Sequence, residues 1–228
     1  MKPEISAVIV ARKGSQRIPS KSMQMIGGKT LIQLKIEELK KTRYVDRVIV
    51  GSDCEEMLAH AESLGAEAVE RPEFFCNEQK ASANQMIGNM CSLISTDVVV
   101  WAHCTNPLLS SSTFDSAIST YLDNIGDFDS LLSVVEIKEH LWDEHRKPIN
   151  YDPFSERHTP ARELPPYYMQ DGGIFIQGYE AMTANSYFFG KKPYLFKIPQ
   201  NEFCDINDGR DLVIARALYN EMHGPGKV

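Results

Sequence analysis

Two hydrophobic periods alternate along most of the chain. Ala7 to Ala11 is a continuous apolar run rich in β-branched residues, the pattern of a buried parallel strand. Thr30 then precedes Leu31, Ile32, Leu34, Ile36 and Leu39, whose three- and four-residue recurrence predicts a capped helix. Between them, Met23 to Ile26 and Gly27-Gly28 predict a short extended piece and a turn. The same alternation continues with strands over 47–50, 66–69 and 98–102, and helices over 54–64, 82–94 and 112–125. Residues 71–81 carry no clear period and predict a loop. Strand and helix in turn, joined by short loops, imply an α/β chain with an open, mostly parallel sheet covered by helices.

The rhythm changes near residue 130. Ser130 to Val135 predicts a strand, but 136–171 are rich in proline, aromatic and charged residues without helical spacing. This segment predicts an excursion that covers a cleft or meets a partner subunit. Strands over 172–176 and 194–198 and a short helix over 179–184 follow. A last helix over 208–221 places Leu212, Ala215, Leu218 and Met222 on one stripe, and the tail from Gly224 to Val228 is expected to fray. Neither an internal repeat nor an independent second domain is evident, so 1–228 is read as one domain with an inserted segment.

Composition narrows the function. A hydrophobic content of 43% supports a packed core. A net charge of −7 argues against a general nucleic-acid or membrane-surface binder. No apolar stretch suits a bilayer span, and residues 1–20 lack a signal-peptide pattern. The five cysteines are odd in number and widely spaced, which fits reduced thiols in the cytoplasm better than disulfides or a zinc site.

Against that acidic background, the loop after the first strand carries Arg12, Lys13, Arg17 and Lys21, punctuated by Gly14, Ser15, Pro19 and Ser20. A donor-rich loop beyond the carboxyl end of a parallel strand suits a polyanion such as a nucleoside triphosphate. The plain alternative is a solvated basic loop. Other strand ends offer Ser52-Asp53, Ser82 to Asn84 and His103 to Asn106 along the same sheet edge. Late in the chain, Asp205 and Asn207 lie two apart, so an extended segment points both side chains to one face, where they could share a divalent ion. Asp208 is then a natural helix N-cap with Asp211 in the first turn, and a purely structural role for this acidic segment is the alternative.

These segments together carry a resemblance. Ala11-Arg-Lys-Gly-Ser-Gln-Arg-Ile-Pro-Ser-Lys21 resembles the opening motif of the acylneuraminate cytidylyltransferases, the CMP-sialic acid synthetase family. Val50-Gly-Ser-Asp53, His103-Cys-Thr-Asn-Pro-Leu108, Leu164-Pro-Pro166 with Asp171-Gly-Gly-Ile-Phe-Ile176, and Asp205-Ile-Asn-Asp-Gly-Arg-Asp-Leu212 are similar to its later motifs, in the same order. The resemblance implies a Rossmann-like nucleotidyltransferase fold and transfer of CMP from CTP to the anomeric hydroxyl of a nonulosonic, sialic-type acid, releasing pyrophosphate.

It also implies magnesium and a homodimer in which the middle excursion crosses to the other subunit. By position, Arg12, Gly14, Ser15, Lys21, Ser22 and Ser82 would hold the nucleotide, with Arg12, Lys21 and Asp211 catalytic. Asp205 and Asn207 would hold the metal. His103, Thr105, Asn106, Arg162, Gln170 and Asp171 would line the acceptor side, with Arg157 as the alternative cation to Arg162. His103 either meets the sugar or packs beneath it. Ser22, His103, Leu109, Asp171 and Asn207 depart from the family's usual asparagine, glutamine, arginine, asparagine and aspartate. Two other readings remain. One is nucleotidyl transfer to another sugar, 3-deoxy-manno-octulosonate or a sugar 1-phosphate. The other is a non-catalytic nucleotide-binding subunit, suggested by Leu109 and Asn207.

Overall fold

The computed structural model describes residues 2–15 and 17–224; the expectation for the tail beyond Gly224 lies outside them. A central sheet of seven strands runs in the order β5-β4-β1-β6-β8-β7-β9. Its strands are β1 (Ile5–Val10), β4 (Arg47–Ser52), β5 (Glu67–Glu70), β6 (Val98–Ala102), β7 (Ser130–Ile137), β8 (Tyr167–Gly178) and β9 (Pro193–Lys197). A two-stranded ribbon, β2 (Met25–Ile26) with β3 (Lys29–Thr30), turns at the glycine pair. The helices are α1 (Leu31–Lys40), α2 (Glu55–Ser63), α3 (Glu73–Cys76), α4 (Ala83–Ser92), α5 (Ser111–Asn124), α6 (Tyr179–Asn185) and α7 (Gly209–His223).

Side chains alternate between the two faces of the sheet, and helices cover both. Ala7, Ile9, Val48, Val50, Val98 and Val100 pack in one cluster with Leu31 and Ile36 of α1, Phe114 of α5 and Leu212 of α7. Val8, Ile49, Val99 and Trp101 point the other way, onto Ile87 and Met90 of α4 and Met182 of α6. Burial on both faces is why these strands read as unbroken apolar runs. Helix starts follow local chemistry: the Thr30 hydroxyl accepts the Gln33 N–H, and Ser82 with Gln85 forms a capping box.

Two features differ from the sequence expectation, and a third refines the mostly parallel sheet it implies. The loop at 71–81 contains the one-turn helix α3, too short to show a period. The excursion is narrower than 136–171, because β7 continues to Ile137 and β8 begins at Tyr167, leaving 138–166 outside the sheet. Finally, β8 runs antiparallel to both neighbours in an otherwise parallel sheet. Its pairing with β7 steps from Leu132↔Phe175 to Val134↔Gln170, so extra residues bulge from β8 around Asp171-Gly172-Gly173. The Ser133 hydroxyl bridges this gap, accepting the Ile174 N–H at 2.8 Å. Both glycines are needed there. Gly172 has φ +76°, and a Cβ on Gly173 would sit 2.4 Å from Leu109 Cδ1.

Candidate active site

The carboxyl ends of β1 and β6 open into a cleft lined by Arg12, Ser15, Lys21, Ser22, His103 and Thr105, among others. One wall is the basic loop. The Lys21 ammonium donates to the Ile206 carbonyl at 2.9 Å, and the Arg17 guanidinium donates to Asn207 Oδ1 at 3.2 Å. The loop of the first strand is thereby joined to the acidic segment near the end of the chain. Burial lowers the Lys21 pKa, with the Arg17 charge adding to the effect and Asp205 opposing it. Arg12 forms an ion pair with Glu78 at 2.6 Å. Gly14 faces an adjoining hollow that Arg12 also borders.

The acidic segment is held by its own capping. Asp208 accepts the Arg210 and Asp211 N–H groups at 2.8 and 3.2 Å, and Asp211 Oδ2 accepts those of Asn207 and Asp208 at 2.8 and 3.0 Å. Asp208 is thus the N-cap that the sequence indicates, and Asp211 serves the same box. Asp205 Oδ2 accepts the Asn207 side-chain amide at 2.7 Å, so the carboxylate and the amide are direct neighbours. A carboxylate and an amide beside a basic loop have the oxygen chemistry that magnesium takes with few protein ligands, but here Asn207 Oδ1 accepts the Arg17 guanidinium and would have to give it up. No group of three or more His, Cys, Asp or Glu able to hold a metal occurs among the described residues.

The opposite wall is internally engaged. A carbonyl only accepts, so His103 Nδ1 carries the proton and donates to the Gly172 carbonyl at 2.7 Å. His103 Nε2 therefore accepts the Trp101 indole N–H, at 3.2 Å. Burial lowers the His103 pKa, and the ring is neutral in this arrangement. Asn106 is fully buried and donates to the Asp171 carbonyl at 2.9 Å. Asp171 is buried too, with Oδ1 lacking a hydrogen-bond partner among the described residues, and burial raises its pKa. Both lie beneath the cleft surface.

Other expected positions fall away from the cleft. Ser82 is exposed and its hydroxyl caps α4, whose contribution to the wall is Met86. Arg162 and Gln170 are exposed outside it, and Arg157 pairs with Glu163 at 3.0 Å. Conversely, Arg71 lines the cleft and had no assigned role. It is buried, with Nε donating to Asn89 Oδ1 at 3.1 Å and Nη2 to the Met86 carbonyl at 2.8 Å. Its position directly after β5 is the signal that could have found it, since the other strand-end groups gather at the same edge.

The family model described as cytidylyltransferase matches residues 6–219. The chain belongs to this family. It is 26% identical over 95% of its length to the pseudaminic acid cytidylyltransferase of Campylobacter jejuni, covering 96% of that protein. It is 27% identical over 98% of its length to the N-acylneuraminate cytidylyltransferase of Escherichia coli, of which it spans 54%. The fold matches that of a CMP:2-keto-3-deoxy-manno-octonic acid synthetase complexed with CTP, at a TM-score of 0.69 and 16% identity over 96% of this chain and 99% of that one. As a CTP-dependent cytidylyltransferase, the enzyme needs cations near the phosphates. The Arg12 to Lys21 loop is where this chain concentrates them.

Proposed function

We propose that this cytidylyltransferase transfers CMP from CTP to the anomeric hydroxyl of a nonulosonic acid. The anomeric hydroxyl oxygen bonds to the α-phosphorus, the bond from that phosphorus to the oxygen bridging it to the β-phosphate breaks, and the hydroxyl proton passes to solvent as pyrophosphate departs. The observation that carries this reading is the junction of Lys21 and Arg17 with the 205–207 segment at the carboxyl edge of the sheet. Lys21 and Arg12 orient the triphosphate and offset the charge that develops on the leaving pyrophosphate. Asp205 and Asn207 would hold magnesium, which neutralises phosphate charge when bound.

Two further assignments accompany the reaction. The 138–166 excursion carries exposed Trp142, Ile149 and Phe154, the last 92% exposed, and this apolar surface supports pairing of two copies. Sedimentation at micromolar concentration is expected to give twice the chain mass, and a monomer would remove the dimer from the account. All five cysteines are buried and free, which supports a reducing, cytoplasmic setting.

The direct test supplies CTP, magnesium and a panel of acids: pseudaminic, legionaminic, N-acetylneuraminic and 3-deoxy-manno-octulosonic. Pyrophosphate release with a nine-carbon acid is expected. Release with the eight-carbon acid alone would reassign the acceptor, and no release with any acid would remove the catalytic reading. Replacing CTP by GTP, UTP or ATP separately checks the base.

A further inference from the structure

Lys35 lies in the middle of α1, on the stripe shared by Leu31 and Leu39, yet only 1% of it is exposed. A methionine would fill that place without the cost of burying an ammonium but would leave the Asn106 carbonyl without its donor, so the lysine is tied to holding that carbonyl. The ammonium donates to the Asn106 carbonyl at 2.8 Å and lies 4.8 Å from the centre of the Phe114 ring. Burial lowers its pKa to about 8, even with Asp171, Glu38 and Glu202 nearby. The contacts continue outward from there. The Thr105 carbonyl, one residue away from that of Asn106, accepts the Ile206 N–H at 2.9 Å, and the Ile206 carbonyl accepts Lys21. Asn106 is anchored on its other side by the bulge of β8 at Asp171. Every link on the route from α1 to Lys21 ends on a backbone carbonyl, so displacing one displaces the chain that carries the next.

We propose that Lys35 is a positioning residue for cytidylyl transfer: from beneath the site, its ammonium fixes the His103–Asn106 loop, which sets the placement of Lys21 against the 205–207 segment. The proposal rests on the reaction assigned above. It gives a function to a buried charge that touches neither substrate.

The test compares Lys35→Met and Lys35→Gln with the wild-type enzyme, using CTP, magnesium and whichever acid of the panel the wild type accepts. For Lys35→Met, kcat is expected to fall by about tenfold or more while KM for CTP moves less than about threefold, the signature of lost alignment. Lys35→Gln keeps a donor for the Asn106 carbonyl and is expected to recover part of kcat. Amide hydrogen exchange supplies the readout that is independent of activity. In Lys35→Met the Ile206 and Asn207 amides are expected to exchange at least about tenfold faster, while those of β4 stay at the wild-type rate. Unchanged exchange at Ile206, equal acceleration in β4, or an unchanged kcat would each overturn the proposal. A wild-type enzyme that consumes no CTP with any acid would overturn the proposed function instead, and the exchange pattern would still decide whether Lys35 positions the loop.

Discussion

The two walls of the cleft are built on opposite plans. On the wall of the basic loop, Arg12 and Lys21 line the cleft, and Arg17 bonds the acidic segment at Asn207. On the wall formed by residues 103–105, both nitrogens of His103 are bonded within the chain, and beneath it Asn106 and Asp171 are buried against each other. The first wall offers charge to a ligand. The second maintains a shape. On the proposed function, nucleotide affinity is expected to depend on individual cations, and acceptor selectivity on how the β8 bulge and the His103 loop are packed.

The largest expected effect tests the charged wall. Asp205→Ala is expected to lower magnesium-dependent turnover by about a thousandfold or more with the fold retained, as circular dichroism would check. Equal activity would make Asp205 a structural residue. Lys21→Ala is next, with kcat/KM expected to fall by about 10²–10³-fold, because the donor proposed for the phosphates is lost. Steady-state kinetics with CTP varied would measure it.

The shaped wall should respond in stability first. His103→Gln is expected to cost about 1–3 kcal/mol in denaturant unfolding, since the flexible amide loses the rigid ring that packs edge-on against Phe175 and Phe188 and holds the Gly172 and Trp101 bonds together. Turnover is expected to change by less than about tenfold. A pH signature goes with it. Burial depresses the His103 pKa below its ordinary 6.5, so the unfolded chain binds the extra proton first. The favourable contribution is complete above about 6.5 and is lost as pH falls toward the folded value. Melting curves of the wild type should drop more steeply below pH 6.5 than those of His103→Gln.

The smallest effect concerns Glu78, whose carboxyl is held below the usual range by its hydrogen bond to Arg12. Glu78→Gln releases that guanidinium and is expected to tighten CTP binding by about two- to fivefold, the scale of one partly exposed ion pair.

The charged wall was legible because chemistry and sequence distance coincide there. Four cations in the ten residues 12–21, just after a strand, stand out in an acidic chain, and Asp208 reads as a cap from its neighbours alone. The shaped wall depends on pairings between distant segments. Nothing local to Asp171-Gly172-Gly173 reveals that β8 runs antiparallel, or that its bulge places Gly172 against His103. The boundaries of the excursion failed for a related reason: Tyr167 to Gln170 are exposed and lack the alternation of a half-buried strand, yet they pair with β7. Lys35 could have been seen, because four-residue steps from Leu31 to Leu39 put it on the apolar stripe. A single charge among leucines and isoleucines is easily taken as a solvated exception.

The contrast between the walls is tested most directly by titrating CTP calorimetrically, without acid, into the wild-type enzyme, Lys21→Ala and His103→Gln. Lys21→Ala is expected to lose CTP affinity by at least about tenfold, and His103→Gln to keep wild-type affinity. Equal losses in the two variants, or none in Lys21→Ala, would contradict it.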